Sequence, residues 1–140
     1  MELILWRHAD AEDGGDDLAR KLTPKGEAQA ARVGAWLLKH LPKDVVVVAS
    51  PGVRAQQTAK ALALPIITDK SLAPGASVAA ILKVAQKHKG TLIIVGHQPD
   101  LGRAAAHLVA RQQAEWPIEK GALWWLSGSV VKAVVSPDLL

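Results

Sequence analysis

The sequence contains no cysteine, no phenylalanine and no tyrosine. Without cysteine, disulfide frameworks, thiolate nucleophiles and cysteine-ligated metal sites are excluded. The aromatic side chains are five tryptophans, most of which stand in apolar segments rather than in a basic stripe. Nucleic-acid binding favours basic grooves with aromatic stacking platforms, so we expect no nucleic-acid partner. The net charge of +4 is modest, and we assign it to solvated helix faces.

Long apolar runs are absent as well. No run approaches the roughly 20 residues that a membrane span requires, so we expect no membrane partner. Residues 1–6 carry an acid at position 2 and only a short apolar stretch, which differs from a secretory signal and leads us to expect a cytoplasmic protein. A chain of 140 residues can bury a sufficient core, and we expect residues 1–140 to form a single domain.

Segments with strand and helix patterns alternate along the chain. Apolar runs predict strands at residues 3–6, 45–48, 65–68 and 91–95, and a hairpin at 122–126 and 130–135. Helices are predicted at residues 24–41, 53–62, 77–88 and 101–113, the first of them with Thr23 as its N-cap. This alternation predicts an α/β fold, a three-layer α/β/α sandwich with a mostly parallel central sheet and a C-terminal hairpin.

Arginine and histidine side chains follow three of the predicted strands. Arg7 and His8 come directly after the first strand, Arg54 follows the second after a short turn, and His97 follows the fourth. In open, mainly parallel sheets the ligand crevice lies at the carboxyl ends of the strands. We therefore expect these distant residues to converge on a pocket that binds a doubly charged anion.

The chemistry expected of this pocket is phosphoryl transfer without a metal or a cofactor. Arg7 and Arg54 can offer paired N–H donors to phosphate oxygens, and Arg54 lies in the first turn of its predicted helix, which favours an anion. The two guanidiniums should keep His8 neutral, so that its imidazole can attack phosphorus and form a phosphohistidine for water to hydrolyse. A protonated His97 would add a donor, and Gly96 before it is expected to let the backbone approach the ligand.

Four blocks of the sequence resemble, in the same order, the signature blocks of the histidine phosphatase superfamily, which also holds the phosphoglycerate mutases. They are residues 5–12, 20–26, 50–58 and 96–101. The Gly-His-x-Pro-x-Leu form of the last block and the small size are most similar to the SixA-type phosphohistidine phosphatases. The resemblance implies a phosphoglycerate mutase-like fold with His8 as the phosphorylated nucleophile and Arg7, Arg54 and His97 as the rest of the phosphate pocket. The activity it implies is removal of phosphate from protein phosphohistidine in signalling or phosphotransfer proteins.

The sequence departs from the superfamily pattern in two places. Position 9 is Ala where the signature has Gly, and we expect its methyl group to narrow the approach to the phosphate. Larger members use a carboxylic acid to protonate the leaving oxygen, and the loop at residues 71–76 has no such acid. An imidazole leaves more readily than an alkoxide, so this gap favours a phosphoramidate substrate. Asp10, Glu12 and Asp69 remain weak candidates for the acid.

Other interpretations stay open at this point. The chain could be a phosphatase for small phosphoesters or nucleotide-linked metabolites, or a noncatalytic phosphate-binding module in which Ala9 marks lost chemistry. A metal-dependent hydrolase would use His8, Asp10 and Glu12, which alternate along one segment. Lys120 is either structural or adjacent to substrate. The pattern gives no oligomeric state.

Overall fold

The computed structural model describes residues 1–140 and contains one six-stranded sheet. The strands are β1 (Glu2–Arg7), β2 (Val46–Ala49), β3 (Ile66–Thr68), β4 (Thr91–Gly96), β5 (Leu123–Ser127) and β6 (Val130–Val135). Their spatial order is β3-β2-β4-β1-β5-β6, in which the first four are parallel and the last two form an antiparallel hairpin. The predicted α/β architecture with its C-terminal hairpin is confirmed.

Four helices cover the sheet. They are α1 (Pro24–His40), α2 (Val53–Lys60), α3 (Val78–Gln86) and α4 (Asp100–Ala110). Short 3-10 helices occupy Asp17–Ala19, Lys70–Leu72 and Pro137–Leu139. Thr23 caps α1 as predicted, because its hydroxyl oxygen accepts from the backbone N–H of Gly26 at 3.0 Å. None of these helices is both long enough and apolar enough to cross a membrane.

The core has two parts, one on each face of the sheet. Leu3 and Leu5 of β1 pack into a cluster with residues of α3 and α4, whereas Ile4 and Trp6 pack into a cluster with residues of α1 and α2. A strand buried on both faces is expected to be apolar throughout, which is why β1 lacks alternation. The helices therefore form two layers around the sheet.

The helices end earlier than the sequence predicts. The largest difference is in α4, which ends at Ala110 instead of residue 113 because Arg111 adopts a left-handed conformation with φ 54° and ψ 37°. The Arg111 N–H bonds back into the last turn, and residues 111–113 are exposed. Local helix preference continues past Ala110, but no further side chain of this stretch is buried against the sheet.

Backbone hydrogen bonds bring the ends of β1, β2 and β4 together. Arg7 lies opposite Gly96 in the parallel register, and the His8 N–H donates to the Gly96 carbonyl oxygen at 3.0 Å. Ser50, which follows β2, donates its backbone N–H to the carbonyl oxygen of Val95 at 3.0 Å. The segments that carry the predicted site residues therefore leave the sheet side by side at its carboxyl edge.

Gly26 lets the first turn of α1 pack against the segment that follows His8. A Cβ atom at this position would lie 1.9 Å from the carbonyl oxygen of Asp10, so backbone would have to move. We predict that Gly26→Ala lowers the free energy of unfolding by about 3 kcal/mol. The exposed neighbour provides a control, since Lys25→Ala should change it by less than about 0.5 kcal/mol. Chemical denaturation measures both, and an unchanged midpoint for Gly26→Ala would contradict the close packing.

Candidate active site

The four residues predicted from strand ends line one cavity of about 370 Å³ at the carboxyl edge of the sheet. These residues are Arg7, His8, Arg54 and His97. The rest of the lining comes from Ala11, Asp13, Asp17, Arg20, Pro74, Gln98 and Lys120. Only one of the eleven lining residues is hydrophobic, so the cavity suits a charged ligand rather than an apolar one.

The hydrogen bonds of His8 determine which ring nitrogen carries the proton. Its Nδ1 lies 2.7 Å from the carbonyl oxygen of Ala9, and a carbonyl can only accept. Its Nε2 lies 3.3 Å from Nε of Arg54, which can only donate. Both contacts require the proton on Nδ1 and a lone pair on Nε2. The imidazole therefore has the form that a nucleophile needs, with the lone pair held at Arg54.

Burial, more than neighbouring charge, keeps His8 neutral. The residue is only 6 % exposed, and burial lowers the pKa of His8 to about 4, with further lowering from the charges of Arg54, Arg7 and Arg20 and some opposition from the hydrogen bond to Ala9. From the sequence, the lowered pKa of His8 is expected to come from the two guanidiniums alone. The predicted direction agrees with the structure, and the main physical cause differs.

Arg54 places three nitrogens on specific partners. Its Nη1 donates to the carbonyl oxygen of Asp17 at 2.6 Å, and its Nη2 donates to the Asp17 carboxylate at 3.2 Å. Its Nε donates to His8, as described above. Thr58, one turn further along α2, accepts from the backbone N–H of Ala9 at 3.0 Å and donates to the carbonyl oxygen of Arg54 at 2.8 Å. The helix that carries Arg54 is thus tied to the segment that carries His8.

His97 lies beside His8, with 5.3 Å between the ring centroids, and it is neutral in this cavity. Burial, then the charges of Arg54 and His8, lowers the pKa of His97 to about 3. The expectation that a protonated His97 supplies a donor is therefore wrong for the ligand-free site. Its Nε2 lies 2.7 Å from Oγ of Ser50, and its buried Nδ1 has no partner.

Ser50 determines the tautomer of His97. The buried Ser50 Oγ accepts from the backbone N–H of Gly52 at 3.1 Å, and its own proton has no acceptor other than Nε2 of His97. The ring hydrogen of His97 then resides on Nδ1. His97 is therefore neutral in the ligand-free site, with its ring hydrogen on a buried nitrogen.

Gly96 does not serve the close approach to a ligand that was expected of it. It is the last residue of β4, and a Cβ at this position would meet the side chain of Leu101 at 3.5 Å, inside the core. A Cβ on Gly52, after β2, would lie 3.4 Å from Cε1 of His97, which is an ordinary contact distance.

Ala9 does not narrow the cavity, contrary to the sequence expectation. It is fully buried and packs into a small cluster with Ala11, Leu22 and Ala30. It is absent from the cavity lining. The methyl group therefore fills core space behind the site, and Ala9 gives no support to a module that has lost its chemistry.

The carboxylates in the cavity wall are not the acids suggested by the sequence. Asp13 and Asp17, in the acidic loop (residues 12–20), line the cavity, whereas Asp10, Glu12 and Asp69 do not. Asp10 accepts from the hydroxyl of Thr23 at 2.7 Å and from Lys120 Nζ at 3.1 Å. Asp69 caps the 3-10 helix at Lys70–Leu72. Sequence reasoning missed Asp17, because nothing in the loop pattern separates it from its acidic neighbours.

Two further points bear on the open alternatives. Lys120 lines the cavity while pairing with Asp10, so it is both adjacent to the site and structural. The alternating His8, Asp10 and Glu12 do not form a metal cluster, since no group of three or more histidine or carboxylate side chains is close enough to hold an ion. The cationic side chains in the cavity lining are those of Arg7, Arg20, Arg54 and Lys120.

The two buried imidazoles should make stability depend on pH. His8 and His97 have pKa values of about 4 and about 3 in the folded state, against 6.5 when unperturbed. At a pH between the folded and the unperturbed pKa, the unfolded chain binds more protons than the folded chain. The part of the free energy of unfolding that comes from the neutral imidazoles is therefore complete above pH 6.5 and is lost as the pH falls toward 4. We predict that the free energy of unfolding drops by at least about 2 kcal/mol from pH 7 to pH 5.

Chemical denaturation across this range measures the effect. His8→Asn should flatten the pH dependence, because it removes one of the two buried imidazoles, whereas His40→Asn, at an exposed position, should preserve it. A wild-type protein whose stability is the same at pH 7 and pH 5 would contradict the burial of neutral histidines.

Comparisons with known proteins show what this chain is similar to in sequence and in fold. The model of the histidine phosphatase superfamily, branch 1, matches residues 3–73. An uncharacterized protein of Picosynechococcus sp. is 36% identical over 117 residues, which cover 75% of this chain and 71% of that protein.

Solved structures share the fold over nearly the whole chain. A candidate phosphohistidine phosphatase SixA from Nakamurella multipartitia is 28% identical with a TM-score of 0.82, over 97% of this chain and 95% of that one. The protein histidine phosphatase SixA, solved with tungstate, superposes with a TM-score of 0.85 at 22% identity, over 99% of both chains. At that identity the second likeness is one of fold, which is phosphoglycerate mutase-like.

Proposed function

Because the chain belongs to the histidine phosphatase superfamily and is similar to the SixA phosphatases, we propose that it removes phosphate from protein phosphohistidine through a covalent intermediate on His8. The observation that carries the proposal is the state of the His8 ring. Its Nε2 lone pair faces the guanidinium of Arg54 in a polar cavity, and its Nδ1 proton is held by a backbone carbonyl. We also propose a cytoplasmic location, in keeping with a chain free of cysteine.

The first step is attack by His8 on the substrate phosphorus. The Nε2 lone pair forms a nitrogen–phosphorus bond while the bond from phosphorus to the substrate imidazole breaks. The departing imidazole takes that electron pair and, already protonated on its other ring nitrogen, leaves as a neutral ring. Water then attacks the phosphorus of phospho-His8, which returns the lone pair to Nε2 and releases inorganic phosphate.

The arginines stabilise the transferring group. When Nε2 of His8 is bonded to phosphorus, the Nε–H of Arg54 donates its hydrogen bond to a phosphate oxygen instead. Arg7 supplies a second guanidinium. His97 lines the cavity beside His8, with 5.3 Å between the ring centroids, and completes the wall of the pocket. Positive charge from fixed side chains thus neutralises the equatorial oxygens of the transition state.

The preference for phosphohistidine rests on the acids around the cavity. Burial alone would raise the pKa of Asp17, but its hydrogen bond to Arg54 and the charges of Arg54 and Arg20 hold that pKa below its usual value. Asp17 is therefore ionised and cannot protonate a leaving alkoxide. Asp100, whose pKa is raised by burial, lies outside the cavity lining and accepts from Gly75 and Ala76. A phosphoramidate substrate needs no such acid.

A substrate panel tests this proposal. We expect kcat/KM for a phosphohistidine domain to exceed that for a sugar phosphate, whose leaving group is an alkoxide, by about 100-fold or more, or about 2.7 kcal/mol. Equal or greater kcat/KM on a small phosphoester would overturn the substrate assignment. Tight phosphate binding with no turnover of any substrate would overturn the enzymatic assignment and support a binding module.

A further inference from the structure

Asp17 contacts the two terminal nitrogens, Nη1 and Nη2, of the Arg54 guanidinium. Nη1 donates to the backbone carbonyl oxygen of Asp17 and Nη2 to its carboxylate, at 2.6 and 3.2 Å. The Nε edge of the same group faces Nε2 of His8 at 3.3 Å. Residue 17 and the nucleophile therefore hold different edges of one planar group.

The position of Asp17 indicates whether it supports Arg54 or blocks the phosphate site. A carboxylate at the position of the reacting phosphorus would lie at the Nε2 lone pair of His8, whereas Asp17 contacts the Nη nitrogens of Arg54. The Nε–H of Arg54 is directed at that lone pair instead. A guanidinium has more N–H groups than these three bonds use, so a phosphate can bind on the His8 side while Asp17 keeps its contact.

The contact joins a buried guanidinium to an exposed carboxylate. The Arg54 side chain is 4% exposed, whereas the Asp17 side chain that pairs with it is 58% exposed. A buried guanidinium without a counter-charge would lose stability or change its position. Arg20 contacts the opposite carboxylate oxygen of Asp17, with 3.3 Å between Arg20 Nε and Asp17 Oδ1. The carboxylate is thus held from two sides although Asp17 lies in a loop.

We propose that Asp17 is a positioning residue that aims the Nε edge of Arg54 at the phosphoryl group on His8. The inference rests on the proposed function, because it assigns Asp17 a part in the same phosphoryl transfer. Asp17 also raises the pKa of His97, in opposition to Arg54 and His8. The loss of its charge should therefore lower the pKa of His97 further.

The test uses Asp17→Ala and Asp17→Asn, with Asp16→Asn as the matched control. Asp16 lies in the same acidic loop and makes no capping bond with its side chain. We expect the rate of phosphoenzyme formation to fall about 10- to 100-fold in Asp17→Ala and less in Asp17→Asn, which keeps an oxygen acceptor for Nη2. KM should change by less than about 3-fold, and Asp16→Asn should match the wild type.

Two further measurements separate positioning from a structural role. Chemical denaturation should show all three variants folded, and in an Arg54→Lys background Asp17→Ala should have little additional effect, because its target is gone. An Asp17→Ala variant that forms phosphoenzyme at the wild-type rate would overturn the inference. So would a variant that binds phosphate more tightly and turns over faster, since Asp17 would then be a competing anion.

These outcomes stay distinct from failure of the proposed function. If the wild-type enzyme forms no phosphoenzyme, the proposed function fails and the inference falls with it. If the wild type is labelled and Asp17→Ala is labelled equally fast, the phosphatase assignment stands and only the role of Asp17 is rejected.

Discussion

Replacing His8 by alanine should lower kcat by at least about 10⁴-fold and abolish covalent labelling of the protein by a phosphohistidine substrate. The imidazole is the group in the cavity whose lone pair is directed at the phosphate position, with Nδ1 bonded to Ala9 and Nε2 bonded by Arg54. No cysteine is present to substitute for it as a nucleophile. Stopped-flow phosphate release and acid-labile labelling measure the two effects.

A matched histidine variant controls for changes unrelated to the site. His107 lies in the last turn of α4 and outside the cavity lining, so His107→Ala should keep labelling and kcat within about 3-fold of the wild type. Substantial turnover by a folded His8→Ala variant would require another nucleophile or direct attack by water. Either finding would refute the covalent mechanism.

Replacing Arg54 by lysine should lower kcat/KM by about 10²- to 10³-fold, although the positive charge is retained. Lysine is a point charge on a flexible chain and cannot reproduce the planar group that contacts His8 and Asp17 together. The loss should be mainly in kcat, because the contact with the phosphoryl group strengthens as charge develops in the transition state.

Arg103→Lys makes the same chemical change elsewhere. Arg103 is exposed, pairs with Glu115 and does not line the cavity, so its replacement should leave kcat/KM within about 2-fold. If Arg54→Lys retained full activity, charge alone would be sufficient and the geometric account of Arg54 would be wrong. Initial rates on the phosphohistidine domain decide between these results.

Periodic features of the sequence predicted the fold and the location of the site. Apolar runs identified β1 and β4 because these strands are buried on both faces of the sheet. Residues that directly follow strands, such as Arg7 and His8, could be placed because parallel strands end at one edge. His97 and Arg54 converge with them for the same reason.

Contacts made by irregular segments could not be predicted in this way. Asp17 is one of several acids in a loop without periodicity, and only the fold of that loop brings it to Arg54. The inward direction of the Ala9 methyl group depends on packing against Leu22 and against Ala30 of α1. The burial of His8 could not be predicted because it depends on side chains from several helices and loops that pack around the site.

The central claim is that Nε2 of His8 attacks phosphorus while its Nδ1 keeps a proton. Phosphorus NMR of the quenched phosphoenzyme, combined with mass spectrometry of its peptides, tests this directly because the two phosphohistidine isomers give different signals. The account predicts a single phosphoryl group on Nε2 of His8. Phosphate on Nδ1 of His8, on His97, or on no residue of an enzyme that turns over its substrate would contradict it.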